Sequence, residues 1–189
     1  GDNGHFTKYS PQSGYTPMIF QGGKGSTTEG GVRVDAFVRW PGMIEADSVA
    51  GDIVHVSDLF TTLARLGGAT DKIPTDRIID GVDQTSLMLN GETHGRRDYV
   101  FIYNINKLEA VVKEQYKLRI PGGNIENAIL ADFYDLFRDP QEKYPVSTEV
   151  GAWGGAKFVR MVQRHLARKA KYPDEGPATG VPYDGIDNL

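Results

Sequence analysis

The sequence predicts an α/β fold in two parts. The first combines a strand with an amphipathic helix. The second is a small C-terminal subdomain with an antiparallel sheet and a helix. Three observations carry this. A β-branched, partly alternating tract and then an amphipathic helical pattern occupy the first half. A run of closely spaced β-rich segments follows from residue 99. A basic amphipathic pattern then covers 156–172. The boundary is placed near residue 95, dividing the chain into 1–95 and 96–189.

Each element has a local reason. Val32, Val34 and Ala36 alternate with polar residues before Phe37, Val38 and Trp40, so 31–40 reads as a strand ended by Pro41-Gly42. Leu59, Phe60, Leu63 and Leu66 repeat at helical spacing. Ser57 or Asp58 would cap that helix, and Gly67-Gly68 would end it. Residues 70–97 read as irregular turns. Segments 99–103, 108–112, 116–120 and 133–137 are rich in Val, Ile, Tyr, Phe and Leu, and the short connections predict an antiparallel meander. Over 156–172, Phe158, Val159, Val162, Leu166 and Ala170 share one side, and an extended tail would follow from Tyr172.

Composition narrows the chemistry. The chain has 189 residues, 21 basic and 25 acidic, for a net charge of −4. With no cysteine, disulfide scaffolds, Cys-ligated zinc, iron–sulfur clusters and thiol nucleophiles are excluded within these residues. Glycine makes up 23 of 189 residues, about 12% against an ordinary value of about 7%, so many tight turns are expected. The acidic balance argues against nucleic acid as a partner. No apolar run reaches the ~18–20 residues of a membrane helix, so no membrane partner is expected. The opening Gly1-Asp2-Asn3-Gly4 is loop-like and reads as a cut rather than a natural start.

Two places could carry chemistry. Asp2 and Asn3 offer adjacent oxygen ligands suited to a hard cation, or form an ordinary Asx turn. Lys24 lies in the glycine- and hydroxyl-rich run 21–31, where the backbone could approach an oxyanion and an ammonium neutralise it. Alternatively that run is a flexible loop with a solvated lysine. It is not a Walker A loop, because Gly25 separates Lys24 from Ser26. His5 lies beside the Asp2-Asn3 pair and is a candidate substrate contact, while His55 reads as structural. Lys157, Arg160, Arg164, Arg168 and Lys171 form a basic stripe that reads as a solvated face.

Taken in order, several segments resemble the C-terminal portion of a type I sulfatase of the arylsulfatase A kind, in the alkaline-phosphatase-like superfamily. They are Asp2-Asn3-Gly4, the block Gly23-Lys24-Gly25-Ser26-Thr27-Thr28-Glu29-Gly30-Gly31-Val32-Arg33, and Arg39-Trp40-Pro41-Gly42. Further on come Ser57-Asp58-Leu59-Phe60, Asp80-Gly81-Val82-Asp83, Phe133-Tyr134-Asp135-Leu136 and Asp139-Pro140. The resemblance runs to about residue 145. Asp35 departs from it, since many relatives have proline there.

The resemblance implies an alkaline-phosphatase-like α/β sandwich and a sulfuric ester hydrolase. It implies Asp2 and Asn3 as two ligands of a Ca²⁺ ion and Lys24 as a catalytic and substrate-binding contact to sulfate. The formylglycine nucleophile, made from Cys in Cys-x-Pro-x-Arg, would lie in an N-terminal part of the same enzyme, the partner of this segment. No such motif, nor its serine form, occurs in these residues. This chain alone is therefore expected to be inactive. The family also implies a periplasmic or secreted location. The alternatives are a phosphodiester or phosphonate monoester hydrolase of the same superfamily, and a non-catalytic binding module retaining the fold.

Overall fold

The structure is a computed structural model that describes residues 1–6, 19–124, 132–146 and 148–173, with the side chains of Pro121 and of 148–153 left aside. Its elements are a single-turn helix α1 (Glu29–Val32), α2 (Asp58–Leu66), α3 (Thr85–Asn90), strands β1 (Tyr99–Asn104), β2 (Lys107–Lys113), β3 (Tyr116–Arg119) and β4 (Phe133–Asp135), and a long helix α4 (Thr148–Lys171).

The four strands form one antiparallel sheet in the order β1-β2-β3-β4, the expected meander. A tight turn at Glu114, with φ of 53°, joins β2 to β3 and pairs Lys113 with Tyr116. Both faces of the sheet are buried. On one, Leu108, Val111, Leu118, Ile120 and Phe133 pack against Phe158 and Val162 of α4. On the other, Ile102, Ala110, Val112, Tyr134 and Leu136 form a second cluster that reaches Ile53 in the first half.

Helix α4 begins eight residues before the expected 156, running through Gly154 and Gly155. Glycine costs a helix about 1 kcal/mol. Here the helix lies on the sheet, with the position of a Cβ at Gly154 only 3.4 Å from the Phe133 ring, and packing outweighs propensity. The basic stripe from Lys157 to Lys171 is exposed, as expected. Of the expected tail, only Tyr172 and Pro173 lie within the described residues.

Helix α2 has the expected bounds, but its cap differs. The Ser57 hydroxyl turns to His55 Nδ1 at 2.8 Å, and the Asp58 carboxylate binds elsewhere, so neither caps the helix. The end is a Schellman turn, in which Ala69 N–H donates to Ala64 O at 2.8 Å and Gly68 N–H to Arg65 O at 3.1 Å. The left-handed residue is Gly68, with φ of 69°.

Two expectations fail. Of the expected strand 31–40, Gly31 and Val32 end α1, and 33–40 are an unpaired, exposed segment and no strand. Alternation makes a strand only where a neighbouring strand supplies hydrogen bonds, and none lies beside this segment among the described residues. Conversely, α3 lies in the tract read as irregular. Its six residues are too few to show a period.

Candidate active-site segment

Backbone hydrogen bonds fasten the N-terminal segment to the glycine-rich loop and the residues just after it. Gly1 donates to Asp35 O at 3.0 Å, Gly4 N–H to Gly31 O at 2.9 Å, and Lys24 N–H to His5 O at 2.7 Å. This sets the backbone that carries Asp2, Asn3 and His5 beside the loop that carries Lys24. A Cβ on Gly4 would fall 1.7 Å from Gly30 O, so only glycine can follow Asp2-Asn3 here.

The loop 21–31 is knit by its own hydroxyls. Ser26 Oγ donates to Gly23 O at 2.8 Å, and Thr28 Oγ1 donates to Gln21 O at 2.8 Å. Gly30 N–H also reaches Gln21 O at 2.8 Å. It is a folded loop rather than a flexible one. Lys24 stands exposed on it, and its ammonium has no partner among the described residues. The side chains of exposed Asp2 and of half-buried Asn3 and His5 likewise have no partner among the described residues. These are uncommitted polar groups held on a fixed backbone, the arrangement required to receive a ligand.

For a metal, the donors suit a hard cation: one carboxylate and one amide oxygen, without sulfur or paired imidazoles. They are two donors, and no group of three or more His, Asp or Glu side chains gathers for a metal among the described residues. A coordination shell of six to eight oxygens needs further donors. Two clefts lie elsewhere and include none of these residues. One, of about 390 Å³, is lined by Thr61, Arg65 and Asp83, and the other, of about 420 Å³, by 38–48.

Sequence reasoning missed two buried ion clusters. Lys117 of β3 has a fully buried side chain and bonds Glu29 and Glu142 at 3.1 Å each. A lysine between Tyr116 and Leu118 reads as the solvent side of a strand, because alternation does not say that the loop 27–29 covers that side. Asp58 is 1% exposed and holds Arg97 through bonds of 2.8 and 2.5 Å. It also accepts the N–H groups of His55 and Val82 at 2.9 and 2.7 Å. Burial pushes the Asp58 carboxyl up, but the Arg97 hydrogen bonds, the two amides and the guanidinium charge outweigh it and hold it below the ordinary carboxylate value. Its position at the start of α2 disguised it as a cap.

The chain as a whole is similar to known proteins. The N-acetylgalactosamine-6-sulfatase of Mus musculus is 33% identical over 192 residues, covering 87% of this chain and 36% of that protein. The steryl-sulfatase of Rattus norvegicus is 32% identical over 187 residues, covering 83% of this chain and 32% of that protein. Among solved structures, the PsFucS1 sulfatase from Pseudoalteromonas sp. superposes with a TM-score of 0.77 at 31% identity, over 92% of this chain and 37% of that one. No protein-family model matches. The chain is a homologue of the sulfatases with their α/β fold. It resembles the C-terminal portion of a type I sulfatase and spans about a third of the length of the curated relatives it matches.

Proposed function

We propose that this chain is the part of a sulfuric ester hydrolase that supplies Lys24 as a catalytic contact to the sulfate group and Asp2 and Asn3 as ligands of a Ca²⁺ ion. The carrying observation is the unpartnered Lys24 ammonium on a knit loop fastened to the Asp2–Asn3 segment, in a homologue of sulfatases. His5 joins as a substrate contact. Residues 1–95 belong to the catalytic α/β domain and 96–189 to a C-terminal subdomain. When bound, Ca²⁺ would offset negative charge on the sulfate oxygens. Lys24 adds a second positive charge on the same group, and its backbone is already positioned, so little reorganisation accompanies the reaction.

The formylglycine nucleophile and the remaining metal ligands would come from the portion of the sulfatase length that this chain does not match. The apolar face of α2 supports that partnership. Leu59, Phe60 and Leu63 are exposed, whereas the polar Asp58, Thr61 and Thr62 are buried.

The test uses this chain joined to, or assembled with, that portion. Lys24→Ala should lower kcat/KM for an aryl sulfate by about 10²–10³. A matched phosphate ester turned over faster than the sulfate would overturn the sulfatase reading, as would full activity of Lys24→Ala. The 189-residue chain alone should turn over neither ester.

A further inference from the structure

We propose that the buried cluster of Lys117, Glu29 and Glu142 is a positioning device for Lys24. It rests on the reading of Lys24 as the sulfate contact. The run 21–31 has no apolar side chain, so the hydrophobic effect cannot locate it. Its anchorage to the sheet must be polar, and two anchors are present. Thr27 Oγ1 donates to Glu109 of β2 at 3.2 Å. Lys117 on β3 donates to Thr27 O at 2.8 Å, Glu29 Oε1 at 3.1 Å and Glu142 Oε1 at 3.1 Å, which commits all three ammonium protons. Two of those three acceptors lie three and five residues beyond Lys24.

The cluster is held from both sides. Lys117 sits opposite Val112 and Tyr134 in the sheet, on the face turned to the loop. Glu142 arrives from the segment after β4, and its Oε1 also accepts the Glu29 N–H at 2.6 Å. To do so Glu142 adopts φ of 50°, a region few non-glycine residues enter. Its Oε2 is buried without a hydrogen bond, and the Arg119 guanidinium stands 3.9 Å away.

Two carboxylates and one ammonium form a poor stability device, since apolar residues of similar volume commonly do as well or better. What the ions supply is direction. They fix the Thr27 carbonyl, the Glu29 amide and the Glu29 carboxylate at once, and so the path of the loop leading back to Lys24. Lys117, Glu29 and Glu142 are buried and act through Lys24.

Replacing Lys117 alone would strand buried carboxylates and risks unfolding. The informative variant is Lys117→Met with Glu142→Gln, which leaves Glu29 the nearby Arg33, 3.8 Å away. In the 189-residue chain, amide exchange at Glu29, Gly30 and Gly31 should quicken about ten-fold or more while Ala110 and Val112 of β2 stay protected. In the assembled enzyme, kcat/KM should fall about ten-fold or more, whereas the same two changes made in Lys24→Ala should lower it by less than about two-fold further. Unchanged loop exchange overturns the proposal. So does a loss that multiplies fully with Lys24→Ala, and so does deprotection of the whole sheet. If Lys24→Ala by itself leaves turnover unchanged, the sulfate-contact reading fails and the exchange result alone decides whether the cluster positions the loop.

Discussion

At the residue scale, Asp58 shows how one buried carboxylate ties distant segments together. It joins the start of α2 to residues 80–84 through Val82 and Gln84, and to the approach to β1 through Arg97. Arg97 in turn donates to Asp80 O at 2.7 Å. Removing one partner of a buried pair costs about 3–5 kcal/mol, because the other charge is left without compensation. Asp58→Asn should therefore lower stability by about 3 kcal/mol at pH 7, read as a drop in the urea midpoint at constant slope. The pH dependence follows from the depressed carboxyl. Its contribution is complete above the ordinary Asp value of about 4 and is lost as pH falls below it, toward the lower folded-state value. The gap between native and Asp58→Asn chains should narrow between about pH 4 and pH 2. A gap that stays constant or widens would show that the carboxylate is not the charged partner it is taken to be.

At the element scale, the strand-rich half was legible and the loop-rich half was not. Strands β1 to β3 follow from aromatic and β-branched runs and a short turn, signals that lie inside each segment. The sheet pairs only with itself, so local pattern and global fold agree. The segment 33–40 carries the same alternation but has no neighbour to pair with among the described residues, and it stays unpaired. For α2 the spacing located the helix and its apolar stripe, but not which stripe the described residues would cover. Lys24 stood out as a candidate because its glycine-rich setting is unusual, and the structure places it exposed on a folded loop. Lys117 did not, because its burial depends on residues about ninety positions away.

Helix α4 offers a second titration. His165 stacks on Phe101 with ring centroids 3.9 Å apart, and its Nε2 lies 2.6 Å from the Tyr103 hydroxyl. Burial lowers its pKa. Asp80 opposes this, and Lys169 and Arg168 add to it. A histidine kept neutral in the fold takes up its proton more readily when unfolded, so the chain loses stability as pH falls below about 6.5. The urea midpoint should decline from pH 7.5 to 5.5, and His165→Gln should remove most of that decline. An equally steep decline in the variant would assign it to other groups.

At the scale of the whole molecule, the distribution of exposed apolar side chains bears on the proposed partnership with the rest of a sulfatase. Leu59, Phe60 and Leu63 are 43%, 51% and 60% exposed, and Phe37 is 93% exposed. An amphipathic helix normally turns such a stripe to the core, yet here Asp58 and the Thr61–Thr62 pair face inward. Under the proposed function, the portion of the sulfatase length that the chain does not match covers this stripe. Phe60→Glu and Leu63→Glu should change the stability of the 189-residue chain by no more than about 0.5 kcal/mol, as surface substitutions do. In the assembled enzyme the same changes would place a carboxylate in an apolar contact and should cost about 2 kcal/mol or more, with loss of sulfate-ester turnover. Thermal unfolding of both forms, with and without each substitution, reads the difference. Equal and small effects in both forms would mean that the stripe stays in water in the enzyme. A concentration-dependent doubling of the isolated chain's mass, abolished by Leu63→Glu, would assign the face to a second copy instead.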